Sequence, residues 1–357
     1  MNYLGIRLIA ETSPFLPHTE IVDVKSTLLY GKRKRDVPRW QLCVRTAEKA
    51  LSPLVLVSVL AEFKAAASPA LLSSVTLELF QGILHQINAS SYFNTDSGHD
   101  IRGFLSTTNL RILRPNWMND AALLERYILG LPPTANRSGL QYYVQSQEHT
   151  LLASLARSSS QRWARSVFTT NCWIELTPPT IYVPLLTFNI THAYGGSVDE
   201  EQLFSRAGPR LAECVLDLIF DYAAATKNNG QQCLSKETTK RLLNVDMCIG
   251  DSAGDPMPLF KRVRDFLAVK YAYALFRKRT MGKARMLRLG GDKMLSKHQL
   301  FFVNIMLEAC EMTAQLGRTR SKAGQNLITA LRNANHFANA YGCRLGSPMN
   351  AKKKCAL

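Results

Sequence analysis

At 357 residues with ordinary apolar content, the chain is long enough for two lobes and too hydrophobic to be disordered over most of its length. Its formal charge of +17 would attract any polyanion, yet the basic clusters Lys32–Arg35, Arg277–Arg279 and Lys352–Lys354 are not interleaved with aromatics. No zinc-finger or RNP-type pattern occurs, so specific nucleic-acid recognition is excluded and a solvated basic surface is the simpler reading.

Apolar residues at helical spacing predict amphipathic helices over Tyr3–Glu11, Glu20–Leu29, Arg39–Ala50, Leu54–Ala67 and Ala70–Ile87, separated by Pro, Gly and Ser. Arg7 and Glu11 interrupt the first apolar run, which argues against a signal peptide. The stretch Ala50–Ala61 is too short to span a bilayer and contains Ser52, Pro53 and Ser58, so no membrane segment is expected in the chain. Pro132 and Pro133 predict a boundary between a first lobe, residues 1–135, and a second, residues 136–357. A long helix, Leu140–Ala164, follows.

At "PPTIYVPLLTF" (178–188) the texture turns β-branched and aromatic, and Pro184 places such a strand at a sheet edge. Helices resume at Pro209–Ala225, Met257–Arg279 and Lys297–Gln315, the last opened by a capping box of Ser296 and Gln299. The fold class is therefore mainly α, with a small β-sheet in the second lobe. No repeat, low-complexity tract or phosphate-cradling glycine loop is present.

The eight cysteines, Cys43, Cys172, Cys214, Cys233, Cys248, Cys310, Cys343 and Cys355, form no C-x-x-C pair, which removes a zinc ribbon or thioredoxin-like motif. Sequons at Asn88, Asn136 and Asn189 suit a glycosylated secreted chain and also arise by chance. The seven histidines include no two spaced by four, so the H-E-x-x-H arrangement, which sets two imidazoles on one helix face, is absent.

Six blocks in order nonetheless carry a resemblance: "NYLGIRLIAETSPFLP" (2–17), "PRWQLCVRTAEKAL" (38–51), "NLRILRPNWMND" (109–120), "TIYVP" (180–184), "SKHQLFFVNIMLEAC" (296–310) and "FANAYGCRLGSPMNAKKKC" (337–355). Together they resemble the neprilysin/endothelin-converting-enzyme family of zinc metalloendopeptidases. The resemblance implies a two-lobed helical ectodomain: a partial amino-terminal helical lobe over 1–135 and a degenerate thermolysin-like lobe over 136–357. It also implies that Met1 falls inside the ectodomain, so that the chain is a fragment, a partial gene model or a shortened paralogue of an extracellular or cell-surface protein.

Aligning Phe220-Asp221 with the family's Phe-Asp after its second histidine puts Cys214 and Leu218 at the two histidine positions and Val215 at the general base. By residues alone, Leu211, Cys214, Val215, Leu218, Ile219 and Tyr222 form the stripe of an ordinary core helix. The family's E-N-x-A-D falls on Lys261 to Asp265, so Lys261 takes the third ligand's place and Asp265 pairs with Arg262 or Arg264. The family's transition-state histidine and arginine fall on Arg320 and Asn326. Zinc is thus the family's cofactor with its ligands absent here, and no catalytic or metal residue is assigned. Cys214 with Asp217 offers two ligands but no third, and no Cys-His nucleophile signature is present.

Asn171 in "NCWI" matches a family asparagine that holds peptide substrate beside an edge strand; it reads equally as a loop asparagine, and Cys172 replaces the usual alanine. The resemblance implies a Cys233–Cys355 disulfide, and it matches Cys43, Cys310 and Cys343 to positions whose partners precede Met1. As residues they read equally as buried thiols. The expected function is a non-catalytic pseudoprotease that binds peptides or proteins. An active metalloendopeptidase with an unusual site or faulty gene model, a truncated non-functional product and a basic polyanion-binding surface protein are the competing readings.

Overall fold

The structure, a computed structural model, describes residues 39–63, 68–90, 93, 98–157, 166, 168–188, 200–228, 234, 236–249, 260–282, 286–288, 294–315 and 322–355. The helices expected at Tyr3–Glu11 and Glu20–Leu29 lie outside them. The chain divides into two compact units, residues 1–62 with 114–167, and residues 63–113 with 168–357. Residues 63–113 group with the carboxy-terminal elements because their helix and strand pair there.

In the first unit, α1 (Arg39–Phe63) joins two segments expected to be separate helices. It bends at Leu51 (φ −132°, ψ 34°), just ahead of Pro53, whose missing N–H and ring clash break the ladder there. The Asp120 carboxylate accepts from the Ala122 and Leu123 N–H groups at 2.9 and 3.2 Å, starting a helix over Ala121–Leu129. A capping box between Ser138 and Gln141 starts another over Gly139–Leu155, and the remainder of the expected 140–164 helix falls largely outside the described residues. Thr150 ties these elements together, donating to the Ala50 carbonyl at 2.7 Å and lying 2.8 Å from the Tyr127 hydroxyl.

The second unit begins with α2 (Pro69–Ala89), N-capped by Ser68, with Leu72, Val75, Leu79, Ile83 and Ile87 along one buried stripe. α3 (Gly98–Ser106) leads to β1 (Asn109–Ile112). Together with the two first-unit helices numbered α4 (Ala121–Leu129) and α5 (Gly139–Leu155), these precede β2 (Trp173–Leu176) and β3 (Pro179–Val183). The three strands form one mixed sheet in the order β1-β3-β2, with β1 parallel and β2 antiparallel to β3. The strand predicted at an edge is thus the central one. Pro184 lies one residue past its end, where the missing N–H costs no ladder bond, and the edge beside Asn171 is β2.

Helix α6 (Glu200–Asn228) continues through Pro209 and packs along α8 (Lys261–Thr280) and α2. Gly208 sits at that crossing: a Cβ there would lie 3.3 Å from the Ala272 Cβ and 3.4 Å from the Leu79 Cδ2, so only a glycine brings the three helices this close without displacement. α7 (Lys236–Ile249), a hairpin of β4 (Met286–Arg288) and β5 (Met294–Ser296), α9 (Lys297–Gln315), α10 (Lys322–Asn333) and α11 (Asn335–Tyr341) complete the unit. The capping box predicted at Ser296 and Gln299 is present, with N–H···O distances of 2.9 and 3.2 Å. α9 is anchored on α6 by the buried Lys297–Glu201 ion pair at 2.6 Å and by the Asn304 amide donating to the Ser205 hydroxyl at 2.6 Å. The fold class expected from sequence, mainly helical with a small sheet, is the one observed.

The closing segment folds back on the helices. Gly342, at φ +62°, ends α11 in the left-handed conformation that a side chain disfavours. Asn350, 8% exposed, donates to the Cys343 carbonyl at 2.7 Å and accepts the Gly346 N–H at its own carbonyl, also at 2.7 Å.

Tyr182 of β3 is buried and donates its hydroxyl to the Glu175 carboxylate at 2.8 Å. Burial, then the bond to and charge of Glu175, push its phenol from 10.0 up to about 12. Because the folded-state value is the higher one, the stabilisation it brings is complete below pH 10.0 and is lost as pH rises towards 12. Ultraviolet difference titration is expected to find a late-ionising tyrosine that Tyr182→Phe removes, together with a shallower loss of stability above pH 10.0 in the variant.

Candidate functional site

The apolar spacing of α6 makes it a helix, and its position between β2, β3, α2 and α8 decides what each face does. Leu211, Val215, Leu218 and Ile219 are at most 1% exposed, and Cys214 is 7% exposed. Cys214 and Leu218, four residues apart, share one face. The Cys214 sulfur is bonded to Cys172, with the two Cα atoms 6.3 Å apart. Since Cys172 directly precedes β2, the bond ties the start of the sheet's edge strand to α6. Asn171 is exposed at the same point and shows no side-chain hydrogen bond among the described contacts.

Charged groups flank this seam. The Arg264 guanidinium of α8 donates to both Asp217 oxygens at 3.0 and 2.8 Å, and to Asp265 Oδ1 at 2.8 and 2.6 Å. Burial pushes the Asp217 carboxyl up, with Arg264 opposing, and burial alone raises Asp221. Burial also works against the Arg264 charge, but Asp265, Glu213 and Asp217 together outweigh it and hold its pKa above the usual value. Of the two partners expected for Asp265, Arg264 is the one bonded; Arg262 instead reaches Asp246 at 3.4 Å.

Residues 221–357 match the description of Peptidase family M13. The endothelin-converting enzyme 1 of Rattus norvegicus is 21% identical over 388 residues, in an alignment covering 99% of this chain and 49% of that protein. The chain thus resembles the neprilysin/endothelin-converting-enzyme family, with the M13 match confined to its carboxy-terminal residues 221–357. Two solved structures share its fold. The Mycobacterium tuberculosis zinc metalloprotease Zmp1 in its open state gives a TM-score of 0.64 at 13% identity, covering 98% of this chain and 58% of that one. A Haemonchus galactose-containing glycoprotein complex gives 0.68 at 12% identity, covering 94% and 57%. The chain spans about half the length of the curated relatives it matches.

At the positions to which the family resemblance assigns zinc ligands, the residues do not fit the ion. Cys214 has no thiolate to offer while bonded to Cys172, Leu218 has no lone pair and is 0% exposed, and Lys261 carries a positive charge. Val215, at the position of the general base, is likewise 0% exposed. The carboxylate of Asp217 is engaged by Arg264, which closes off the Cys214–Asp217 pair considered from sequence. Among the described residues, no group of three or more His, Cys, Asp or Glu side chains could hold a metal ion.

The other predicted positions disperse. Cys355 is bonded to Cys248, 5.7 Å away between Cα atoms, in place of the expected Cys233, which lies outside the described residues. α7 packs on α10 and thereby delivers its last turn to the tail, a proximity with no counterpart in sequence spacing. Cys43 is a free, exposed cysteine, Cys343 is free and half-buried, and the Cys310 side chain is outside the described set. Asn88 is exposed near the end of α2, Asn136 is exposed in a turn at φ +59°, and Asn189 and Arg320 lie outside. Asn326 lies half-buried on α10. His298 and His336 pack on Tyr273: His298 Nδ1 is 3.0 Å from its hydroxyl, and the His336 ring stacks at 4.7 Å.

The Cys172–Cys214 bond is the feature that sequence reasoning missed. The resemblance singled out Cys172 and Cys214 as departures from the family pattern, and nothing in their spacing showed that they meet. Non-reducing peptide mapping is expected to recover the Cys172 and Cys214 peptides joined and the Cys248 and Cys355 peptides joined; alkylation of Cys214 without reduction would contradict the assignment. Leu218→Ala is expected to cost about 2–5 kcal/mol in chemical denaturation, as a truncation in a closed core does, whereas a lining position of an open cleft would tolerate it.

Proposed function

We propose that this chain is a non-catalytic M13 homologue, a pseudoprotease whose former zinc helix serves as packing and whose remaining capacity is to bind peptides or proteins. The observation that carries the reading is the disulfide at Cys214, which spends the one sulfur at a ligand position and fastens it to the substrate segment. Changing merely an outer partner of a metal ligand typically costs about 10- to 100-fold in affinity or activity. Here the residues matched to all three ligands and to the base differ in chemistry. An extended peptide would add to the outer side of β2, with the Asn171 amide supplying a donor and an acceptor. Disulfides fit the extracellular or cell-surface setting of the family, where glycans at Asn88 and Asn136 would project from exposed positions.

Elemental analysis of the purified chain is expected to show sub-stoichiometric zinc, with no chelator-sensitive cleavage of fluorogenic peptides. Stoichiometric zinc tied to chelator-sensitive hydrolysis would restore the active-enzyme reading. For the binding half, fluorescence polarisation with a library of dansylated heptapeptides is expected to yield binders that Asn171→Ala weakens; binders indifferent to that change would place recognition elsewhere.

A further inference from the structure

The carboxy-terminal unit contains a cavity of about 270 Å³ between α8, the α10–α11 junction and the tail. One side is apolar, made by Phe266, Val269, Tyr273 and Phe302, with the Tyr273 and Phe302 rings stacked 5.1 Å apart. The other side is cationic: Lys270 from α8, His336 from α11 and Lys354 from the tail. No aspartate or glutamate lines it among the described residues.

We propose that this cavity binds a small organic anion, with the carboxylate held between Lys270, His336 and Lys354 and a flat apolar body laid against Tyr273 and Phe302. The charge balance is the first argument. Several buried or half-buried cations elsewhere in this unit have carboxylate partners: Arg264 with Asp217 and Asp265, Arg262 with Asp246, Arg279 with Glu78 and Glu200, and Lys297 with Glu201. Lys270, exposed at the cavity mouth, and Lys354, half-buried, have no such partner among the described ion pairs, and partial desolvation pushes the pKa of each down. His336 is pushed down as well, by burial first and then by Arg277, Lys270 and His298. Uncompensated positive groups converging on a partly dry wall favour an anion that neutralises them.

Wall rigidity is the second argument. Asn333 accepts the Cys355 N–H at 3.1 Å and donates to the Thr329 carbonyl at 2.9 Å, while the Cys248–Cys355 disulfide pins the tail beside it. The cavity therefore keeps its shape without a ligand, and its size, just below the roughly 300–1,000 Å³ of drug-sized sites, suits a single-ring acid. The site is separate from the Cys172–Cys214 seam and does not depend on the reading of that seam.

The test uses the full chain and sodium benzoate, with calorimetry and NMR titration of the histidine imidazoles, His336 being identified by its loss in His336→Gln. Saturable binding is expected, with the His336 pKa raised in the bound state. Lys270→Gln and Lys354→Gln should each weaken binding about tenfold, the scale of one charge-assisted hydrogen bond, without changing the melting temperature. Inorganic phosphate should compete poorly, lacking the apolar body. The proposal is overturned by absence of a saturable shift at His336, by affinity indifferent to both lysine changes, by phosphate binding as tightly as benzoate, or by binding that appears only after Ala356 and Leu357 are deleted, which would assign the cavity to the chain's own terminus.

Discussion

The close packing of α6 along α8 is the constraint on which the carboxy-terminal unit rests. Leu211, Val215, Leu218 and Ile219 from one helix and Val263 and Leu267 from the other are withdrawn from water almost completely, each contributing about 1.5–3 kcal/mol. Gly208 permits the approach, and Arg264 spans the seam to Asp217 while also holding Asp265. A metal centre between two such helices would require polar ligands and a water in that interface. Aliphatic groups there let the helices close, and this is why the same α6 residues support both the fold and the non-catalytic reading.

The two disulfides tie different elements of the unit together. Cys172–Cys214 joins the sheet's edge strand to α6, and Cys248–Cys355 joins the last turn of α7 to the tail. The first occupies Cys214, the residue that the family resemblance sets at a ligand position. The second, with Asn333 and Asn350, turns a lysine-rich tail into a fixed wall and so creates the cationic side of a cavity. In an oxidising setting both links constrain the unfolded chain as well as the folded one.

An aromatic cluster gathers around Tyr273: His298 and His336 both lean on it, and it also contacts Phe301 and Phe302. An imidazole is polar at its edge and flat on its face, so a place beside an aromatic wall satisfies both parts when a hydroxyl or solvent meets the nitrogen. The basic end of α8 is similarly divided. Arg279 is absorbed by Glu78 and Glu200, whereas Lys270, two turns earlier, faces the cavity.

What the sequence determined by itself was whatever depends on neighbours along the chain. Periodicity located most helices, the Ser296–Gln299 cap was readable from spacing, and the missing H-E-x-x-H was visible because its two histidines belong to one helix. Family blocks gave the architecture. Only the tertiary structure decided which cysteine meets Cys355, that β3 is central rather than peripheral, that residues 63–113 join the carboxy-terminal unit, and that Lys270 and Lys354 share a cavity. Each of these joins residues distant along the chain, and such pairings are set by which faces can be buried together, a property of the whole packed unit that no local spacing encodes.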